Sequence, residues 1–197
     1  MDALEAIYSR RSTRKFKADG IEKEKLDLIL EAARQAPSGG NNQHNHFLVI
    51  QNREVIQELV KMAEEAFARM DIEEGMYASL KRTLTASKKG GYVFSHDAPV
   101  LIAVANRFDY SNHMADVACA IENMMLAANA LDLGSCWINQ LKWLNEEPSI
   151  VAYLHSLGMK EEERVYGSVV IGYPASESGL PNRNRMAQKG NEVTYID

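Results

Sequence analysis

Apolar residues recur along this chain with a helical period in some stretches and run without interruption in others. Leu4, Ile7 and Tyr8 stand at i, i+3 and i+4 behind an Asp2 placed to cap them, which predicts a short helix over residues 2–9. Leu26, Ile29, Leu30 and Ala33 form a stronger stripe and predict a helix over 21–36. Pro37 cannot extend that helix, and the glycines and asparagines of "APSGGNNQHN" favour irregular backbone after it. "HFLVIQ" reads as a short strand. Residues 53–89 are charged and periodic, predicting two helices broken near Gly75 and closed by Gly90 and Gly91. "PVLIAVA", 99–105, is a continuous apolar run of the kind buried on both faces of a sheet.

The next stretch says most. Met114, Val117, Ala118, Ile121, Met124, Met125, Ala128 and Leu131 keep a 3.6-residue period, and the positions between them, Ala115, Ala120, Leu126, Ala127 and Ala130, are also apolar or small. A helix apolar nearly all round is buried nearly all round. That predicts a helix over 114–131 that is either central or shared with a second subunit. Gly134 ends it. "SCWIN" then reads as a short strand, 146–157 as a helix, "RVYGSVVIGYP" (164–174) as a last core strand, and the alternation in "NEVTYID" as a terminal β run. Mixed helices and strands without repeat or linker predict one α+β domain over 1–197.

With 197 residues the chain is long enough to bury a substantial core. Its formal net charge of −5 argues against a general nucleic-acid binder, which is normally basic. Cys119 and Cys136 are the only cysteines and read as free thiols in a reducing compartment. "MDALEAIYSRRS" lacks the apolar run of a signal peptide, and no stretch approaches a membrane span, so the expectation is a cytoplasmic protein.

Against that acidic balance, "SRRSTRKFK" gathers Arg10, Arg11, Arg14, Lys15 and Lys17 without an acid. Arg183, Arg185 and Lys189 make a second acid-free group. Guanidinium groups with a hydroxyl such as Ser12 suit a phosphate, and two distant basic segments could converge on one dianion. Solvated surface charge is the alternative. The chain contains neither G-x-x-x-x-G-K-[ST] nor G-x-G-x-x-G, which excludes an ordinary P-loop or dinucleotide fingerprint.

"RRSTRKF", then "APSGGNNQ", then "AANALDLGSCWIN", then "VVIGYP" before a basic tail resemble, in order, the motifs of the nitroreductase family of FMN enzymes. The resemblance implies an antiparallel-rich sheet wrapped by helices, and a homodimer built around the long apolar helix with two FMN molecules at the subunit interface. Arg10, Ser12 and Arg14 match family positions that grip the FMN phosphate and ribityl chain, and Arg11 a flanking position. Arg185, with Arg183, matches the C-terminal cations of the phosphate site. Pro37, Ser38, Gly39 and Asn41 match a loop reaching the flavin from the partner subunit, and Gln43 a glutamine near it. Cys136, Trp137, Ile138 and Asn139 match the strand lying against the flavin, whose backbone N–H groups meet N5 and O4. "QHNHF" departs from the family's usual Q-P-W-x-F, so His44 and Asn45 make that wall more polar.

The activity implied is ping-pong: NADH or NADPH gives hydride to flavin N5 and leaves, and a nitroaromatic, quinone or other electron-poor small molecule takes its place. No side chain need act as acid or base. Other readings are a dehydrogenase, dehalogenase or flavin-processing enzyme on the same fold, or a non-catalytic FMN-binding protein. The 75–91 region is the candidate lid. His44 with His46 as a metal site, and Cys136 as a nucleophile, are alternative readings. Asp116 is expected to serve the N-terminus of its helix, with His113 beside it as a conceivable substrate contact.

Overall fold

The computed structural model describes residues 1–187 and 189–197. Helices α1 (Ala3–Ser9) and α2 (Lys23–Arg34) precede strand β1 (His46–Ile50). Helices α3 (Arg53–Arg69) and α4 (Ala78–Lys89) follow, then β2 (Val100–Arg107), the long helix α5 (His113–Ala130) and β3 (Gly134–Ile138). The short α6 (Gln140–Trp143), α7 (Pro148–Ser156) and β4 (Glu163–Gly172) complete the order. The four strands form one sheet in the order β1-β2-β4-β3, every pairing antiparallel. This is the α+β architecture that the mixed periodicities predict.

Side-chain alternation along β2 divides the core into two layers. Val100, Ile102 and Val104 face α2 and α5, where they meet Ile29, Val117, Ile121 and Met124. Leu101, Ala103 and Ala105 face the α3 side, with Leu59, Phe67, Leu84 and Phe94. A strand with a helical layer on each face has no polar side, which explains its unbroken apolar run.

Several elements differ from expectation. The helix expected over 146–157 begins later, with Pro148 in its first turn, where a missing N–H costs nothing. The alternating tail from residue 191 forms no strand; Val193, Tyr195 and Ile196 lie 72%, 85% and 93% exposed, and none of the four strands pairs with it. Asp2 caps α1 as expected, its Oδ1 accepting from Glu5 N at 2.8 Å. Asp116 does not cap α5. It is buried, and its Oδ1 accepts from the backbone N–H of Gly39 at 3.0 Å.

Candidate functional site

The cationic segment is laid along the sheet. Ser12 bridges Ser135 in parallel register, and the Thr13 N–H donates to the Ser135 carbonyl at 2.8 Å. Further on, Phe16 bridges Pro174, and Lys17 N donates to Tyr173 O at 2.8 Å. The segment therefore flanks β3, the edge strand. Gly134 permits this: a Cβ there would come within 2.6 Å of Thr13 Oγ1 and 2.7 Å of its Cβ and Cγ2. Because Ser135 turns its carbonyl outward to Thr13, alternation turns the backbone of Trp137 outward as well.

The two ends of the polypeptide meet beside α5. Arg11 Nη1 donates to the Asn184 carbonyl at 2.8 Å. Buried Asn129 donates through Nδ2 to Ala6 O at 3.1 Å and Ser9 Oγ at 3.0 Å, and its Oδ1 accepts from Arg183 Nε at 3.3 Å. Arg183 also pairs with Asp132 at 2.7 Å, so this guanidinium is engaged within the chain. Arg185 lies over the Tyr8 ring, 4.6 Å from its centre. Arg10 faces Glu122 at 3.6 Å, whereas Arg14 is exposed and has no ion-pair partner among the described residues.

Arg14 lines a cleft of about 470 Å³ between β3 and α4, with Cys136, Trp137, Ile138 and Asn139 along one wall. The opposite wall carries residues the sequence did not single out. Tyr92 Oη accepts from Gln140 Nε2 at 2.5 Å and shares a hydrogen with Thr83 Oγ1 at 3.0 Å. Thr83 falls within the expected lid region, where α4 now stands, and Tyr92 lies just beyond it, after the Gly90-Gly91 pair. Asn139 turns its Oδ1 back to the Trp137 indole N–H at 2.8 Å.

Burial pushes the Cys136 thiol up, only partly offset by the Arg14 charge, the Ser12 hydroxyl and the Arg10 charge. A thiol held protonated is a packing group rather than a nucleophile at neutral pH. His96, also lining the cleft, is pushed below its ordinary value by burial and then by Arg14, with Asp97 opposing.

The loop carrying Pro37, Ser38, Gly39, Asn41 and Gln43 lies elsewhere. It leads into β1 at the opposite edge of the sheet, three strand spacings or about 14 Å from β3. Gln43 N donates to Ser38 Oγ at 3.1 Å, its side chain donates to Asn41 Oδ1 at 2.9 Å, and Tyr110 Oη donates to Gly39 O at 3.0 Å. Gly39 is small for a local reason: a Cβ would collide with the Asn112 amide and stand 2.5 Å from Tyr110 Oη. Asn45 ties the loop to α5 by donating to Asp116 O at 3.0 Å. His46 Nδ1 pairs with buried Glu163 at 2.7 Å instead of joining His44, and no metal-binding cluster occurs among the described residues. His113 stacks on Tyr166, ring centres 3.9 Å apart.

The donor set along β3 suits a ligand with an anionic end and a planar body edged by hydrogen-bond acceptors: an unpaired guanidinium, a hydroxyl, and an outward strand backbone.

Fold and cleft together define an α+β protein with a cationic edge-strand site. The family model for the nitroreductase family matches residues 7–173, and the chain belongs to that family. It is similar over 100% of both chains to a nitroreductase from Bacteroides fragilis NCTC 9343 whose crystal structure holds FMN, with a TM-score of 0.86 and 36% identity. A Haemophilus influenzae protein, provisionally named an NAD(P)H nitroreductase, is 30% identical over 203 residues, 100% of each. The 5,6-dimethylbenzimidazole synthase of Rhodospirillum rubrum is 26% identical over 201 residues, 94% of this chain and 88% of its own.

Proposed function

We propose that this chain is a single FMN-binding domain over residues 1–197, that it works as a homodimer, and that it passes electron pairs from NADH or NADPH to a small electron-poor acceptor such as a nitroaromatic or quinone. The observation that carries this reading is the acid-free cationic segment laid along the outer edge of β3. FMN, when bound, supplies two-electron exchange at its N5 atom. The chain's own residues bind and orient it. Arg14 and Arg10, with the Ser12 hydroxyl, hold the phosphate end; Arg11 and Arg183 brace the tail against α1 and α5, where Arg185 adds its charge. The outward backbone beside Trp137 meets the polar edge of the ring system. The absence of a dinucleotide fingerprint agrees with a nicotinamide donor that shares the open side of the cleft with the acceptor.

Two features support the dimer. The outward face of α5 exposes Met114, Ala115 and Cys119, and α1 beside it exposes Leu4, Ile7 and Tyr8 at 50% or more. The Pro37–Gln43 loop sits at the wrong sheet edge to reach the β3 cleft of its own chain, so it serves the partner's.

The test is the absorption spectrum of the purified protein before and after anaerobic NADPH or NADH. Flavin bands that bleach within one turnover support the reading. A flavin-loaded protein that neither donor bleaches leaves an FMN-binding protein without this activity, and a colourless protein that cannot be reconstituted overturns the whole reading. The similarity to a 5,6-dimethylbenzimidazole synthase favours, as second reading, a different flavin reaction on the same site; acceptors screened against the reduced protein separate the two.

A further inference from the structure

A second cavity, of about 500 Å³, lies on the far side of the loop that carries Tyr92. That volume is in the range of small-molecule sites. One wall is a face of α3 in two rows at helical spacing. Ile56, Val60 and Glu64 form the inner row, and exposed Arg53, Gln57 and Lys61 the rim. The other wall is the 91–99 loop, with Val93 and Pro99, and Phe16 from the segment that follows Arg14.

The charges within it are unequally engaged. Glu64 Oε1 accepts from the Tyr92 backbone N–H at 2.6 Å, so this acid is committed to holding the loop. Asp97, on the loop wall, has no ion-pair partner among the described residues either. Arg53 and Lys61 have no ion-pair partner among the described residues, and they stand two helical turns apart, about 12 Å along the rim. A largely apolar interior, with two uncommitted cations on its α3 rim and Asp97 on the loop wall, suits a molecule with a hydrophobic body whose anionic end lies on the α3 side.

We propose that the cavity between α3 and the 91–99 loop is a second binding site, distinct from the β3 cleft, for a small amphipathic anion: an aromatic-sized apolar body bearing a carboxylate or sulfonate. The body lies against Ile56, Val60 and Phe16, and the anionic group lies at Arg53 and Lys61. The loop between the two sites has positive φ at Gly90, Gly91, His96 and Asp97. Tyr92 lines both sites, its hydroxyl joined to Thr83 and Gln140 in the β3 cleft, while Val93 lines the second, so a molecule bound here orders a wall of the β3 cleft.

The probe is 8-anilinonaphthalene-1-sulfonate, titrated calorimetrically into the purified protein, with uncharged N-phenyl-1-naphthylamine as its comparison. The expected result is binding at about one molecule per chain, weakened about tenfold or more by Arg53→Glu with Lys61→Glu and abolished by Val60→Trp. The uncharged probe binds more weakly and does not respond to the charge reversals. In the wild-type protein the sulfonate also slows amide exchange over residues 90–98. The two rim substitutions are at exposed positions, so the test does not depend on Val60→Trp folding. Absence of binding, sulfonate affinity unchanged by the charge reversals, a folded Val60→Trp variant that still binds, or equal affinity for the two probes each overturns the proposal.

Discussion

Arg14 and His96 show how single residues set the electrostatics of the β3 cleft. Burial and the Arg14 charge both disfavour protonated His96, burial more strongly, against a smaller opposing effect of Asp97. A histidine whose folded-state pKa is depressed binds protons more readily when unfolded. Its contribution to stability is therefore complete above the ordinary histidine value of about 6.5 and is lost as pH falls below it. Titrated by NMR, His96 is expected to lose its proton below that value, and Arg14→Gln to move it part of the way back, because burial remains. The same substitution is expected to weaken FMN about tenfold or more, by loss of a charge-assisted contact to phosphate, in a fluorescence-quenching titration. A His96 that titrates at the ordinary value in both proteins would contradict the placement of Arg14 beside it. Residue roles were partly legible in the sequence: acid-free "SRRSTRKFK" in an acidic chain already pointed to an anion. Tyr92, Thr83 and Gln140 were not legible, because nothing local distinguishes a tyrosine that joins a hydrogen-bond network across three elements from one that packs.

At the scale of elements, α5 is decisive. Its inward residues fill the layer against β2 and β4, and its outward residues, Glu122 and Asn123 apart, are largely small or apolar where a monomer's surface would be polar. The proposed dimer covers that face. Ala118→Arg places a long charged side chain on it without entering the core; light scattering is expected to show a monomer that retains its secondary structure but not its flavin. A dimer with full flavin content would show that this face is not the interface. Periodicity made α5, and the interruption between α3 and α4, readable in advance, since both depend on local spacing. It failed at the tail, where strand-like alternation is realised only if a pairing edge is available, and at Asp116. An acid in a first turn reads as serving the helix dipole, yet this one is bent to a glycine N–H 77 positions earlier in the chain. Contacts so distant in sequence leave no local signature.

Across the whole molecule, the sheet separates two groups of residues that the proposed site brings together. The cationic segment flanks β3, and the loop of Pro37, Ser38, Gly39, Asn41 and Gln43 leads into β1, at opposite edges of a four-stranded sheet. On the proposed reading each chain contributes one half of a flavin site at each sheet edge, and two chains related by a two-fold axis bring both halves together twice. Order along the sequence could not reveal this, because both segments lie within the first 43 residues and look like neighbours until the sheet separates them.

Complementation between subunits tests that claim most directly. Arg14→Glu disables the cationic half, and Gly39→Val displaces the loop half by collision with Tyr110 and Asn112. Each variant alone is expected to be folded, dimeric and nearly free of flavin. Co-expressed with different affinity tags and purified through both, the heterodimer has one site with both halves intact, and it is expected to carry about half the wild-type FMN. A heterodimer as flavin-free as its parents, or a Gly39→Val homodimer that binds FMN like the wild type, would contradict a site shared between two chains.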